Sequence, residues 1–331
     1  MSVIKYIKPE NFSGFIPKNL NNVVPTIKKQ DFIVISDFSV GGDAPKEFVK
    51  IYKYGRVRRD NTKIWVKYIA KTGHKWYPNE SISEHLLNCI GKELGLQMSH
   101  SELAFISGQL RFLSEYFLDN KQQELVHGVD IFAEYISDRE FVEQIEQQQL
   151  AREFFTFQFA IKAIEVAFPK NYIEIAADFV KLLVFDAIVG NNDRHFYNWG
   201  VVRSINNTHK PYFSPIFDTA RGLFWNESEQ KISEKLRQKQ QLTSFLNKYI
   251  KNSFPKTGWE GEHNLNHIAL VEKLKKEDST YDSIINELLT VEKEEQVLTM
   301  IQANFLELMS VNRMEIVTEC LKLRFQLLRE I

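Results

Sequence analysis

The chain has 331 residues, 44% of them hydrophobic, with a formal net charge of -1. That is enough apolar material for two packed lobes, and the near-zero charge excludes a strong electrostatic footprint for nucleic acid or for an anionic membrane surface. Cys89 and Cys320 are the only cysteines; both fall in apolar helical patterns and read as core residues, so a disulfide framework is not expected and a reducing compartment fits. The start, Met1 to Lys8, lacks the apolar segment of a signal peptide. No run of about 18 apolar residues occurs, so cytoplasmic residence is expected.

From about residue 30 to 118 the pattern is strand-rich. Strands are expected in Asp31–Ser36, Glu47–Tyr52, Ile64–Ile69 and Leu110–Leu118, with one helix at about 80–95. The polar run Asp119–Glu124 reads as a linker. From about 128 onward apolar residues recur at helical spacing, as in Phe155, Phe159 and Ile164, then Phe179, Leu183 and Ala187. A β insert at about 199–218 interrupts the helices, and the last hundred residues read as further amphipathic helices. The expected fold is α+β and two-lobed, with a β-rich N-terminal lobe over residues 1–120 and a larger, mostly helical C-terminal lobe over 121–331.

The most informative stretch is Gly190-Asn191-Asn192-Asp193-Arg194-His195-Phe196-Tyr197-Asn198, followed by Pro215-Ile216-Phe217-Asp218. A carboxylate five residues before an amide, with a second carboxylate one hairpin later, suits phosphoryl transfer: Asp193 would orient the attacking hydroxyl, and Asn198 and Asp218 would be hard oxygen ligands for magnesium. The same residues also suit a polar turn after a helix. Upstream, Ser39-Val40-Gly41-Gly42-Asp43-Ala44-Pro45-Lys46 lies between two strands, where Gly41 and Gly42 would let backbone N–H groups approach phosphates and Lys46 would add charge. An ordinary hairpin turn fits this segment as well.

Lys67 lies in an apolar strand and points either to solvent or into a cleft, which alternation cannot decide. The helix that follows supplies Glu84 as an ion-pair partner for it, although Ser81-Ile82-Ser83-Glu84 also matches a capping box in which Glu84 would only reach back to the helix start. His263 and His267 have the i, i+4 spacing of two metal ligands, but no acid lies between them, and a polar surface turn is the expected reading.

The order of these motifs resembles the HipA-like serine/threonine kinases, bacterial proteins best known as toxins of toxin-antitoxin pairs; the resemblance covers roughly residues 30–225. It implies ATP and Mg2+ as cofactors. It further implies that Gly41, Gly42, Lys46 and Lys67 handle the phosphates, that Glu84 orients Lys67, and that the backbone around Glu115 and Phe117 binds adenine. Asp193 would be the catalytic base, with Asn198 and Asp218 on the metal. Two departures stand out. Tyr116-Phe117-Leu118-Asp119 replaces the charged hinge common in the family, and the family's autophosphorylated loop serine has its nearest hydroxyl here at Ser39. The segment before residue 30 is short beside many relatives, so a small domain encoded separately, or an antitoxin, is an expected partner. The other partner is a protein substrate, of which a translation component is one option. Two further readings stay open: a phosphoinositide-kinase-like enzyme, whose catalytic loop also reads Asp-Arg-His-x-x-Asn, and a catalytically idle binding module.

Overall fold

The computed structural model describes residues 23–35, 46–73, 79–119 and 121–331. The first part is a six-stranded sheet of β1 (Thr26–Ile27), β2 (Phe32–Val34), β3 (Lys46–Ile51), β4 (Val66–Thr72), β5 (Ser101–Ile106) and β6 (Gln109–Glu115), in the order β1-β5-β6-β4-β3-β2. Only β1 runs parallel to its neighbour, β5. β5 goes beyond the strands expected from sequence. It forms a hairpin with β6 through Ser107 and Gly108, both with positive φ (52° and 76°), as a tight turn matched to strand twist requires.

β4 differs from expectation in a way that matters for the site. Thr62–Ile64 forms a 3-10 turn, the strand begins at Val66, and it continues through Ala70 and Lys71 to Thr72. Side-chain alternation then divides the sheet into two faces. Val49, Ile51, Tyr68, Ala70, Ala104, Ile106 and Leu113 form a small core on the outer face. Leu103 and Phe112 face the other way and join the main core with the helix α1 (Glu80–Glu93). On that inner face Lys46 is directly opposite Lys71, and Phe48 opposite Ile69.

The rest of the chain is mostly helical. β7 (Gln123–His127), β8 (Gly200–Ser204) and β9 (Tyr212–Phe213) form a second, antiparallel sheet, so the expected linker ends inside a strand at Gln123. Between β7 and β8 lie α2 (Gly128–Ile136), α3 (Arg139–Gln147), α4 (Ala151–Phe154), α5 (Phe157–Ala167) and α6 (Tyr172–Val189). After β9 come α7 (Glu229–Arg237), α8 (Lys239–Lys251), α9 (His267–Glu277), α10 (Ser279–Leu288), α11 (Val291–Phe305) and α12 (Val311–Arg329). α6 is buried on nearly every side, which is why its sequence is apolar all round rather than striped. α11 packs on α1, and Lys293 Nζ donates to the Glu93 carbonyl at 3.2 Å, a cation placed at the negative end of α1. The helix that carries Glu84 is therefore braced by the C-terminal part of the chain.

His267, expected on a polar surface turn, is instead buried at the start of α9, while His263 is exposed. Among the described residues no cluster of His, Cys, Asp and Glu suits a metal ion, and no helix is long and apolar enough to cross a membrane. Burial, reinforced by the Arg324 guanidinium, pushes the His267 imidazole down from 6.5 to about 3, and burial takes His85 down to about 4. An unfolded chain takes up these protons below about pH 6.5, whereas the folded one does not until near pH 3 to 4. The contribution of these two histidines to folding stability is thus full above about pH 6.5 and is lost progressively below it. Urea unfolding followed by circular dichroism should show a lower midpoint at pH 5 than at pH 7, and His267→Phe should shrink that difference.

Candidate active site

The catalytic-loop candidate follows the end of α6, where Gly190 adopts a left-handed conformation (φ 66°). A β-carbon at Gly190 would lie 2.4 Å from Arg324 Nη2, so any side chain here would be strained and would have to displace the buried Arg324 guanidinium. Asp186, one turn earlier, is buried among apolar neighbours and receives Arg194 in a two-pronged ion pair, Nε to Oδ2 at 2.9 Å and Nη2 to Oδ1 at 3.1 Å. Asn191 Nδ2 also donates to Asp186 Oδ1, at 2.9 Å. The remaining arm of Arg194 crosses to the other motif: Nη1 donates to the carbonyls of Asn198 at 2.8 Å and Phe217 at 2.6 Å. One guanidinium thereby fixes the loop bearing Asp193 and Asn198 against the segment bearing Asp218.

Local hydrogen bonds set the loop's shape. Asn191 Oδ1 accepts the Asp193 N–H at 3.2 Å, and Asn198 Nδ2 donates to the Asp193 carbonyl at 3.0 Å. With its nitrogen so committed, Asn198 has its amide oxygen as the group able to ligate a cation. His195 is half-buried, and burial holds its imidazole below the ordinary range, favouring the neutral form in a loop that already carries Arg194. Asp193 Oδ2 is 3.1 Å from Arg221 Nη1.

Asp218 has a left-handed backbone (φ 56°), a conformation costing a non-glycine residue about 1–3 kcal/mol and concentrated at functional sites. Its carboxylate is gripped by two lysines, Oδ1 at 2.9 Å from Lys71 Nζ and Oδ2 at 3.1 Å from Lys46 Nζ. Lys71 also binds Glu84 at 2.5 Å. Burial pulls Lys71 towards losing its proton, but Asp218 and then Glu84 outweigh it, and the ammonium stays charged well above the usual lysine range. Burial likewise favours a protonated Asp218, yet Lys71 and Lys46 hold that carboxyl well below the carboxylate range.

This corrects one expectation. Glu84 pairs with Lys71, not Lys67. Lys67 is on the same face of β4 but four residues towards the hinge, opposite Lys50, where its carbonyl accepts the Tyr116 N–H at 2.8 Å. The extension of β4 beyond Ile69 brings Lys71 to the helix instead. The capping box is likewise absent: α1 begins after Asn79, Ser81 Oγ accepts the Gly73 N–H, and Glu84 is spent on Lys71. A sequence signal for Lys71 existed in the strand's continued alternation through Tyr68, Ala70 and Thr72, which leaves Lys71 on the face of Lys67 and Ile69.

Glu115 offers only its backbone to the cleft. Its carboxylate faces outward in a two-pronged pair with Arg56, its N–H donates to His100, and its carbonyl accepts Ser99 Oγ at 2.9 Å while keeping a second lone pair. Phe117 lies 6.1 Å from Phe217, the residue before Asp218, and Phe48 packs edge-on to Tyr116. Ser39, Gly41 and Gly42 fall outside the described residues.

The donor set fits a magnesium nucleotide. Asn198 and Asp218 are hard oxygen ligands, and the ammonium groups now on both Asp218 oxygens mark where positive charge is stabilised. Lys46 and Lys71 are in turn placed for an anion.

A β-rich lobe whose buried Lys–Glu pair meets a helical lobe bearing Asp193, Asn198 and Asp218 defines the two-lobed fold of kinases. Residues 38–295 match the family described as the HipA-like C-terminal domain, and the chain belongs to that family. Its fold is similar to the Helicobacter pylori proinflammatory kinase CtkA, with a TM-score of 0.67 at 18% identity over 91% of this chain and 94% of that one. It is also similar to a chain of the Shewanella oneidensis MR-1 toxin-antitoxin complex of HipA, HipB and operator DNA, with a TM-score of 0.52 at 14% identity over 88% of this chain and 65% of that one. A search of curated protein sequences found no match.

Removing the Arg194 charge would strand Asp186 in the core. Arg194→Met should cost about 3–5 kcal/mol in folding free energy, measured by denaturant unfolding. Arg194→Lys should recover only part of it, since an ammonium cannot span Asp186, Asn198 and Phe217 at once.

Proposed function

We propose that the protein is an ATP- and magnesium-dependent serine/threonine protein kinase of the HipA-like type. The observation that carries this reading is the Lys71 ammonium, held between Glu84 on α1 and Asp218 beside the catalytic loop. Nothing in the packing of either lobe requires this buried four-group cluster with Lys46, whereas a site that must neutralise a polyphosphate does.

In this scheme Lys71 takes the role the sequence suggested for Lys67, contacting phosphate oxygens while Glu84 keeps it aimed into the cleft. Lys46 supplies the second charge. Asn198 Oδ1 and the Asp218 carboxylate would hold magnesium, which neutralises charge on the phosphates. Phe48, Ile69, Phe117 and Phe217 offer apolar surface for a purine, and the hinge backbone around Glu115 and Phe117 its polar contacts. Asp193 orients the acceptor hydroxyl and accepts its proton.

The acceptor is proposed to be a serine or threonine of another protein, with a translation component one option. A separately encoded small domain or antitoxin is the proposed partner, and the cytoplasm the proposed location. The Shewanella protein is seen with HipB, which makes such a partner worth seeking.

Labelled ATP with magnesium and a cell lysate tests the reading. A labelled protein band from the parent, absent with Asp193→Asn, supports it; labelled lipid would favour a phosphoinositide-type enzyme, and nucleotide binding without transfer an idle module. Asp193→Asn should lower kcat by about 10²–10⁴-fold with little change in nucleotide affinity. Asp218→Asn should weaken use of magnesium-ATP. Lys71→Met should lower kcat/KM for ATP by about a hundredfold while Lys67→Met leaves it nearly unchanged, and the reverse order would return the phosphate-binding role to Lys67.

A further inference from the structure

Lys67, prominent in the sequence but not the partner of Glu84, has a counterpart directly across the sheet. Lys50 on β3 lies opposite it, on the same inner face as the Lys46–Lys71 pair. The Lys67 carbonyl is turned towards β6, where it accepts the Tyr116 N–H at 2.8 Å, so its peptide groups point away from β3. Lys50 and Lys67 therefore form the close, non-hydrogen-bonded kind of antiparallel pair, with α-carbons about 4.5 Å apart and side chains next to each other. Like charges so placed destabilise a sheet. Among the described residues neither ammonium has a hydrogen bond or an ion pair, although both residues are half-buried.

Glu102 and Glu115, at the same end of the sheet, do not relieve this repulsion. Glu102 lies opposite Leu113 and Glu115 opposite Tyr68, on the outer face, where Lys53 and Arg56 hold their carboxylates. The Lys46–Lys71 pair, with the same register parity, shows what two opposed lysines of this sheet take. Asp218 sets one carboxylate oxygen 3.1 Å from Lys46 Nζ and the other 2.9 Å from Lys71 Nζ. Lys50 and Lys67 repeat the arrangement without a carboxylate of the described chain. We infer that Lys50 and Lys67 are a docking site for an acidic side chain of a partner protein, whose carboxylate receives one ammonium on each oxygen.

Two features select this ligand. Lys67 is four residues from Lys71 along β4, about 13 Å of strand, with Phe48 and Ile69 on the rung between, so a phosphate group held by Lys46 and Lys71 does not extend to it. The ligand at Lys50 and Lys67 is a separate one. The pair is also bounded by apolar groups on both sides: Phe48 and Ile69 towards the cleft, and Tyr52 and Trp65, whose rings are 5.9 Å apart, beyond it. A nucleic-acid backbone needs cations at successive phosphates, whereas one lysine pair between apolar neighbours suits an aspartate or glutamate, with an aliphatic stem and a single anionic head. Docking here requires no phosphoryl transfer, so it stands or falls by binding and not by the kinase reading.

Fluorescence anisotropy of a fluorescein-labelled hexaglutamate peptide, titrated with the full chain, tests the site. The double variant Lys50→Gln, Lys67→Gln should bind the peptide at least about tenfold more weakly than the parent, as the loss of two charge-assisted hydrogen bonds requires. Lys63→Gln, at an exposed lysine just before β4, should change binding by less than about twofold. Because the substitutions remove a repulsion, each single variant should unfold in urea at the midpoint of the parent or above it. A lowered midpoint would make the two lysines structural and overturn the assignment. So would a parent that binds no peptide, undiminished binding by the double variant, or an equal loss with Lys63→Gln. If labelled oligouridylate binds through the pair and the peptide does not, the ligand is nucleic acid and the docking of an acidic side chain is wrong.

Discussion

The site is organised around one buried guanidinium. Arg194 is nearly inaccessible to water, and its ion pair with Asp186 is made in the apolar heart of the helical lobe. Taking both charges out of water is expensive, and such pairs persist where geometry satisfies every arm. Here it does. Two arms close on Asp186, and the third joins the Asn198 and Phe217 carbonyls, so two segments far apart in sequence are held at hydrogen-bond distance from a single nitrogen. Asp193, Asn198 and Asp218 depend on that joint for their mutual placement.

The second constraint acts between the lobes. Lys71 on β4, Glu84 on α1 and Asp218 beside the helical lobe make a charge cluster that no single element could bury alone. α11 packs on α1, and Lys293 in the first turn of α11 donates to the Glu93 carbonyl at the end of α1, so the C-terminal helices contribute to aiming Glu84. The fold similarity to CtkA covers 91% of the chain and so takes in both the sheet and the helical part.

Much of this was legible in the sequence, for definable reasons. Period-two apolar runs marked β3 and β6, and the run from Gly190 to Asn198 stood out through the spacing of Asp193, Asn198 and Asp218, although a polar turn after a helix also fits its residues. β5 and β7 were not legible because Ser101, Glu102, Gln123 and Glu124 dilute their alternation, and what makes them strands is their pairing with β6 and β8. The sequence singles out Lys67 alone, although alternation gives Lys71 the same face, and only the end of the strand, set by its pairing with β6 out to Arg111, decides which one meets Glu84. A lone acid in the apolar run around Asp186 was a readable sign of a buried pair. Arg221 and Arg313 carried no sign, since their partners lie 28 residues away at Asp193 and 84 residues away at Glu229.

The pairing of Asp218 with both Lys46 and Lys71 has a bearing on how such a cleft is filled. Among the described residues the two lysines and the two carboxylates of this cluster balance, so the cluster is an internal salt. Lys46 and Lys71 let go of Asp218 at least cost when an anion takes them, and Asp218 tolerates their departure when a cation replaces them. If magnesium and a nucleotide bind here as proposed, filling the site would be an ion exchange in which both counterions arrive together, since either alone would leave a charge stranded. On that proposal the same electrostatics would disfavour bare metal and bare polyphosphate, before shape is consulted.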